Sequence, residues 1–262
     1  VTARKPGNVH RYADFADVTY LDFVLSAAAV APEIELARSR PVGDTVLAAV
    51  RATRLVTATN TNLGMVLLLT PLAAVPDGED LRTGVERVLT GLTVADAKAV
   101  YAAIRLANPG GLGTAADQDV AEEPTVTLRE AMALAAGRDL IARQYADGFR
   151  AVFDVGLPAL RQPARDWEAA VIGCQLRLLA EFPDSLTARK RGPAVAEEAS
   201  RRARAVLAAG GPDNTEALAG LDSWLRADGH ARNPGTTADL VTACLFVALR
   251  EGQFRLPVAP GR

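Results

Sequence analysis

Two short basic stretches hold the residues best suited to chemistry. Near the start, Arg4-Lys5-Pro6-Gly7-Asn8-Val9-His10-Arg11 gathers four side chains able to carry positive charge around a Pro-Gly step, which reads as a turn. Such a loop can hold a polyphosphate, and a solvated basic terminus is the rival reading on composition alone. The second stretch, Arg189-Lys190-Arg191-Gly192, lies a few residues after Asp184 and reads as another basic turn that opens on an acid. Lysine occurs only at Lys5, Lys98 and Lys190, with arginine at almost every other basic position. A lysine kept in each stretch suits phosphate binding, which often uses a compact ammonium with rotatable donors; chance is the alternative.

Three further stretches carry polar residues at helix or loop ends. Thr59-Asn60-Thr61-Asn62-Leu63-Gly64 precedes the apolar run Met65-Val66-Leu67-Leu68-Leu69. A helix apolar all round must be covered all round, so this run is expected to be the buried central helix. Its Asn-Thr-Asn start either caps the helix or leaves the first amides facing an anion. From Asn108 to Pro124 a loop runs glycine-rich and then acidic. Gly110, Gly111 and Gly113 permit close backbone approach to a ligand, and Asp117 and Asp119 can hold magnesium through oxygen; a mobile surface loop is the alternative. Near the end, Asn233-Pro234-Gly235-Thr236-Thr237-Ala238-Asp239 follows His230 and leads into an apolar helix.

These stretches need helices to position them, because hydrophobic spacing is helical nearly throughout and no segment alternates in the manner of a strand. The sequence predicts an all-α fold, a single globular domain over residues 1–262 with about ten helices counted from cap and breaker signals. Expected caps are Asp17 before a helix that Pro32 ends or bends, Asp44 before the next, and Thr93 and Thr127 with acids three residues on. Pro71 and Pro76 are expected to limit the central helix. A long helix is expected beyond Thr127, with Asp139, Arg143 and Asp147 on one face as a salt-bridge ladder or, beside Tyr145 and Phe149, a site. Helices are also expected over 166–182, 194–209, 215–227 and 240–249, the last capped by Thr236 or Thr237.

Composition sets further bounds. With 262 residues, 49% of them hydrophobic, the chain can bury a substantial core, and a formal net charge of -2 supplies no basic field for nucleic acid. No apolar run approaches the roughly 20 residues of a membrane span and no signal peptide is visible, so a cytoplasmic protein with small-molecule partners and no membrane partner is expected. Cys174 and Cys244 lie in apolar helical stretches and suit reduced core thiols. The chain starts at Val1 rather than methionine, so a preceding segment is expected.

Taken in order, Lys5 to Arg11, Asn60 to Gly64, Asp184 to Gly192 and Asn233 to Leu240 resemble the motifs of the triphosphoribosyl-dephospho-CoA synthase family. The resemblance covers nearly the whole chain. It implies an all-α fold, Mg-ATP as substrate, and transfer of the triphosphoribosyl unit of ATP to the ribose 2′-hydroxyl of dephospho-CoA with release of adenine. The chain departs from better-known members by carrying Asn62-Leu63 where they have His-Lys, and Asn233 and Thr236-Thr237 where they have serine and Gly-Ser. Its Asn108 to Asp119 loop and the helix of Asp139, Arg143 and Tyr145 resemble a branch found beside one-carbon coenzyme genes.

The resemblance and the residues together give a set of expectations. ATP is expected on Lys5, Gly7, Asn8, Arg11, Asn60, Thr61, Asn62, Gly64, Arg189, Lys190, Arg191, Asn233, Gly235 and Thr236. Magnesium is expected on carboxylates from Asp117, Asp119, Asp184 or Asp239. Attack at the anomeric carbon passes through a cation-like centre, for which Asp119 or Asp239 is the expected carboxylate, while His10 serves as base or as a phosphate contact. The loss of two cationic side chains at Asn62 and Leu63 leads to the expectation of an acceptor other than dephospho-CoA, a pterin- or furan-type coenzyme intermediate. A non-catalytic nucleotide-binding protein is the alternative, and a homodimer is left open.

Overall fold

The computed structural model describes residues 1–254 except 111, 112 and 116, so Gly111 lies outside the described residues. Contacts between Cα atoms group the chain into two compact units, one formed by Ala13–Arg150, the other by Thr2–Tyr12 with the described residues from Ala151 onward. Both are built from helices, thirteen α-helices among the described residues, and no sheet forms among them. The all-α expectation therefore holds, with more and shorter helices than expected.

The first unit comprises α1 (Tyr20–Glu35), α2 (Val42–Val56), α3 (Leu63–Ala73), α4 (Leu81–Thr90), α5 (Val94–Ala107), α6 (Leu128–Ala135) and α7 (Leu140–Asp147). Helix α3 is its centre, packed by α1, α2, α4 and α7, with Leu63, Val66, Leu67, Leu68 and Leu72 all buried. Pro71 does not limit this helix; it lies inside it. A proline has no N–H to give the carbonyl four residues back, so the Leu67 carbonyl loses its helical partner in a dry core. The Tyr145 hydroxyl of α7 donates to that carbonyl at 2.6 Å. Tyr145 is fully buried, and burial pushes its phenol well above the ordinary range, so it remains a donor. Tyr145 is thus a core residue that repairs a proline, which removes it from the candidate site.

Local capping explains most other boundaries. Thr93 and Asp96 form a capping box at the start of α5, and Thr127 and Glu130 form one at α6. Asp96 does more, because its other oxygen accepts the Gly43 amide at 2.8 Å and joins the starts of α2 and α5. A Cβ at Gly43 would lie 2.6 Å from the Asp96 Cα, so only glycine allows that approach. Elsewhere the expected caps move. Thr19, not Asp17, caps α1 through a box with Asp22, Asp44 sits inside the first turn of α2, and Pro32 lies within α1, which continues to Glu35. The long helix expected after Thr127 is two helices. Asp139 caps α7 by accepting the amides of Ile141 and Ala142, and Gly148 at φ +70° ends it.

The second unit contains a π-helical turn (Ala151–Gly156), α8 (Leu157–Leu160), α9 (Trp167–Glu181), α10 (Ser185–Arg191), α11 (Pro193–Ala208), α12 (Thr215–Arg226) and α13 (Gly235–Arg250). Its core joins Ile172, Leu176 and Leu179 of α9 to Ala199, Ala203 and Val206 of α11 and Leu221 and Leu225 of α12. Small residues on α11 let the helices pack closely. The second basic stretch is a helix rather than a turn, and its three cations fall in the last turn, where they oppose the helix dipole. Helix α13 starts at Gly235, five residues before the expected start, with Thr236 and Thr237 buried in its first turn. Cys174 and Cys244 are free and buried.

Replacing Tyr145 by phenylalanine removes one oxygen and leaves the Leu67 carbonyl unsatisfied in the core. We expect a loss of about 1–3 kcal/mol, read as a lower midpoint in urea with an unchanged slope. An unchanged midpoint would contradict the repair role.

Candidate functional site

The N-terminal turn is held against the second unit by polar contacts on every side. Arg4 grips Glu168 of α9, with its backbone amide and Nε on one carboxylate oxygen at 2.8 and 3.0 Å and Nη2 on the other at 2.9 Å. Arg11 stands 3.7 Å from the same carboxylate. Burial pushes the Glu168 carboxyl up, but the hydrogen bonds and charge of Arg4 outweigh it, and the group stays below the ordinary carboxylate range. The Gly7 amide donates to Asp222 of α12 at 2.7 Å. Gly7 has φ +75°, and a Cβ there would lie 2.8 Å from the Leu225 side chain and 2.9 Å from Pro234, so both conformation and space require glycine.

Asn8 ties this turn to the last motif. Its Nδ2 donates to the Asn233 side chain at 2.6 Å and to the Pro234 carbonyl at 3.3 Å, while its Oδ1 accepts from Gln175 Nε2 at 2.9 Å. The Arg226 guanidinium donates to the Asn8 carbonyl and, at 2.9 Å, to Asp222. The Asn233 carbonyl in turn receives a long 3.4 Å contact from the Thr187 hydroxyl of α10. Lys5 to Arg11, Asp184 to Gly192 and Asn233 to Asp239, far apart in sequence, therefore assemble within one unit.

Asp184 is the joint between the second and third of these motifs. One oxygen accepts the Thr187 amide at 2.9 Å and caps α10; the other accepts the Thr237 amide and hydroxyl at 2.7 and 2.8 Å at the start of α13. The residue is completely buried, and burial pushes its carboxyl up against three donors that favour the ionised form. Beside it the Ser185 hydroxyl donates to Thr236 at 3.1 Å. Asp184, expected to hold magnesium, is a shared helix cap.

Two further groups of the turn, Lys5 and His10, are buried. Lys5 is 6% exposed, and its ammonium has no hydrogen bond or ion pair among the described residues. Burial lowers its pKa to about 8, with Glu168 opposing at longer range. His10 is buried, and its Nδ1 accepts the Tyr12 amide at 3.3 Å. Burial first and Arg226 second push the imidazole down, Asp222 opposes, and Lys5 and Arg4 add to the depression. A neutral imidazole with Nδ1 so engaged carries its proton on Nε2 and is a donor there, which suits an anion contact better than a base. Arg11 is exposed and lies over the Tyr12 ring at 4.9 Å. Arg189, Lys190 and Arg191 lie together in the last turn of α10, Arg191 paired with Asp228 at 2.9 Å. Gly235 and Asp239 are half-buried at the start of α13.

The other expected site residues belong to the first unit. Asn60 is exposed and its Oδ1 accepts the Leu63 amide at 3.2 Å, which makes it the cap that the Asn-Thr-Asn step was expected to supply. Thr61 and Asn62 are buried; the Thr61 hydroxyl meets Ser26 at 2.6 Å, and Asn62 Nδ2 donates to Thr53 at 3.0 Å. Gly64 follows in the first turn of α3. Asp119 turns on its own loop, accepting the amides of Ala115 and Ala121. Asp117 is exposed beside Gln118. No group of three or more acidic, histidine or cysteine side chains able to hold a metal exists among the described residues. Of the expected magnesium ligands, Asp184 is taken up as a helix cap and Asp119 by its own loop.

Sequence reading missed Glu168, Gln175, Asp222 and Arg226, all on helix faces toward the turn. Gln175 had a signal, a lone amide within Val171-Ile172-Gly173-Cys174-Gln175-Leu176. The other three look like ordinary surface charges of amphipathic helices.

Comparison with known proteins bears on the whole chain. A family described as CitG, ATP:dephospho-CoA triphosphoribosyl transferase, matches residues 1–257. The chain is 30% identical to a crystal structure described as a candidate triphosphoribosyl-dephospho-CoA synthase from Archaeoglobus fulgidus, with a TM-score of 0.70 over 88% of this chain and 100% of that one. No curated protein matches. No helix of the described residues is long and apolar enough to cross a membrane.

The reading of Asp184 as a cap is testable. In Asp184→Asn the Nδ2 would face the Thr237 amide and hydroxyl, both donors, so we expect a loss of about 3 kcal/mol in unfolding free energy. The magnesium dependence of any nucleotide binding is expected to stay as it is in the parent, which titration with and without the metal checks.

Proposed function

Because the chain belongs to the ATP:dephospho-CoA triphosphoribosyl transferase family, we propose that the turn of Lys5, Gly7, Asn8, His10 and Arg11 receives the triphosphate of ATP. The protein is a transferase of this kind, moving the triphosphoribosyl group of ATP to an acceptor hydroxyl with loss of adenine. The acceptor oxygen bonds to the anomeric carbon as the bond to the adenine nitrogen breaks, and the hydroxyl proton leaves as adenine gains one. We read both units as one enzyme domain, since a single family match spans them. The non-catalytic alternative is set aside on the same ground.

The observation that carries the triphosphate assignment is the buried Lys5 ammonium without a carboxylate partner. An unpaired buried cation costs stability, and an anionic ligand removes that cost while gaining charge-assisted hydrogen bonds. His10 supports the same reading through Nε2, Arg11 adds an exposed charge, and Arg189 and Lys190 supply further cations from α10. Asp239, half-buried at the start of α13 in the same unit as the turn, is the carboxylate we assign to the cation-like centre. Magnesium belongs to the substrate as Mg-ATP rather than to a site on the protein. We place the enzyme in the cytoplasm, where free thiols persist and both substrates are soluble.

The acceptor follows from the first unit. Asn62 is tied to Thr53 and Leu63 is a buried apolar residue, so neither supplies a cation at the start of α3. Contacts from charged donors are worth about 1.5–3 kcal/mol each, and their absence disfavours an acceptor pyrophosphate at that position. We read the acceptor as a coenzyme precursor other than dephospho-CoA.

Lys5 gives a pH signature. In the unfolded chain a lysine keeps its proton to 10.5, while in the fold it loses it at about 8. The fold is therefore disfavoured below pH 8 by about 3 kcal/mol, a penalty relieved as pH rises from 8 to 10.5. Anion binding has the opposite sign, because it needs the ammonium. Calorimetry with Mg-ATP is expected to show affinity falling above about pH 8. Lys5→Met is expected to weaken binding at neutral pH at least about tenfold and to flatten this profile. No heat at millimolar nucleotide would sink the triphosphate assignment. A separate assay follows adenine release from ATP with dephospho-CoA beside a panel of pterin and furan intermediates. We expect the panel to turn over better, and efficient reaction with dephospho-CoA at micromolar concentration would return the acceptor to the one the family is named for.

A further inference from the structure

Gln175 is completely buried on α9, in a helix face that otherwise contributes Ile172, Leu176 and Leu179 to the core. Its Nε2 donates to the Pro6 carbonyl at 2.9 Å and to Asn8 Oδ1 at 2.9 Å, so it holds the backbone directly after Lys5 and the side chain that locks the turn to Asn233. Its Oε1 is buried and has no hydrogen-bond partner. An orphan buried acceptor is destabilising, and leucine would fill about the same volume with no such cost. Lys5, directly before Pro6 in the chain, is itself a buried residue whose ammonium has no hydrogen bond or ion pair among the described residues.

We propose that Gln175 is a positioning residue for the transfer reaction: its amide fixes the Pro6-Gly7-Asn8 turn so that the Lys5 ammonium stands ready for the substrate, with the Oε1 dipole as neutral polar support for that charge. A neutral amide is the suitable choice. A carboxylate there would form an ion pair with Lys5 and compete with the ligand, whereas an apolar side chain would release the turn. The charged groups around Lys5 are Arg4, His10 and Arg11 on its own turn, Glu168 on α9, and Asp222 and Arg226 on α12. Glu168 is engaged by Arg4 and Asp222 by Arg226, so neither acid closes on Lys5. Gln175 is the polar side chain of α9 that reaches the turn without adding charge.

The proposal rests on the assignment of Lys5 to the triphosphate, and the test separates the two. The chain has three lysines, so Lys5 can be followed by NMR of protein labelled at the lysine side chains, without any nucleotide. Gln175→Met and Gln175→Glu are compared with the parent, folding being checked by circular dichroism. The Lys5 titration is expected to move down in Q175M and up in Q175E, each by about one pH unit, a tenfold change in proton affinity. Mg-ATP affinity is expected to fall about tenfold or more in both, with kcat/KM falling alongside. A Lys5 titration at the same pH in all three folded proteins overturns the proposal, as does an unchanged Mg-ATP affinity in Q175M. If Q175M does not fold, the Q175E titration decides in the same way. A parent protein that binds no Mg-ATP refutes the triphosphate assignment and leaves the lysine titrations to judge Gln175.

Discussion

The side-chain amide of Asn8 is the constraint on which the second unit's polar architecture depends. Its two ends are saturated in opposite directions, donating to Asn233 and Pro234 and accepting from Gln175, while its backbone carbonyl is held by Arg226. These partners lie 167 to 226 residues away in sequence. Closing so long a loop carries a large entropic cost that one hydrogen bond cannot offset. Four contacts to one residue, reinforced by Arg4 on Glu168 and Gly7 on Asp222, can. The turn is thus a tertiary structure made of polar groups rather than an apolar plug.

That construction explains how the unit tolerates so many cations close together. Arg4 and Arg226 each receive a carboxylate, the first by a bidentate grip and the second within a helix turn. Lys5 receives none. Sequence economy would pair it or replace it, since a buried ammonium is destabilising at neutral pH. The unit holds it in place by fixing the residues on either side; burial lowers the titration of both Lys5 and His10, and for His10 the charges of Arg226, Lys5 and Arg4 add to it. A site with that electrostatic character favours a polyanion before any particular contact is considered.

How much of this was legible depended on the range of the interaction. The capping boxes at Thr93 and Thr127 are local, three residues across, and reading them from sequence worked. The all-helical character came from periodicity, and the three motifs of the second unit came from resemblance joined to charge. Some misreadings, such as Asp17 for Thr19, were local, and others were cases where a distant partner changed the meaning of a local signal. Pro71 looks like a helix end until Tyr145 supplies the missing donor. Asp184 looks like a free acid before basic residues until Thr237, 53 positions on, takes its second oxygen. Asn62 looks like a cap, but Thr53 claims it and Asn60 does the capping. Glu168, Asp222 and Arg226 carry no local signal, because their role exists only once the N-terminal turn has folded onto them.

The same capping bears on how an anion could be held. The start of a helix is a natural phosphate site only while its first amides are free and its dipole uncompensated. At α10 and α13 the amides of Thr187 and Thr237 are already taken by Asp184, a carboxylate sealed from solvent. At α3 the Leu63 amide is taken by Asn60. At α9 the Ala169 amide is taken by Asp166. At the starts of α3, α10 and α13 a first-turn amide is thus engaged within the fold. On the proposed reading, recognition of a triphosphate rests on side-chain cations, and among these Lys5 combines burial with the absence of a carboxylate partner among the described residues. A lysine is suited to that task, because a rotatable ammonium can follow phosphate oxygens that a planar guanidinium meets only in its fixed fork.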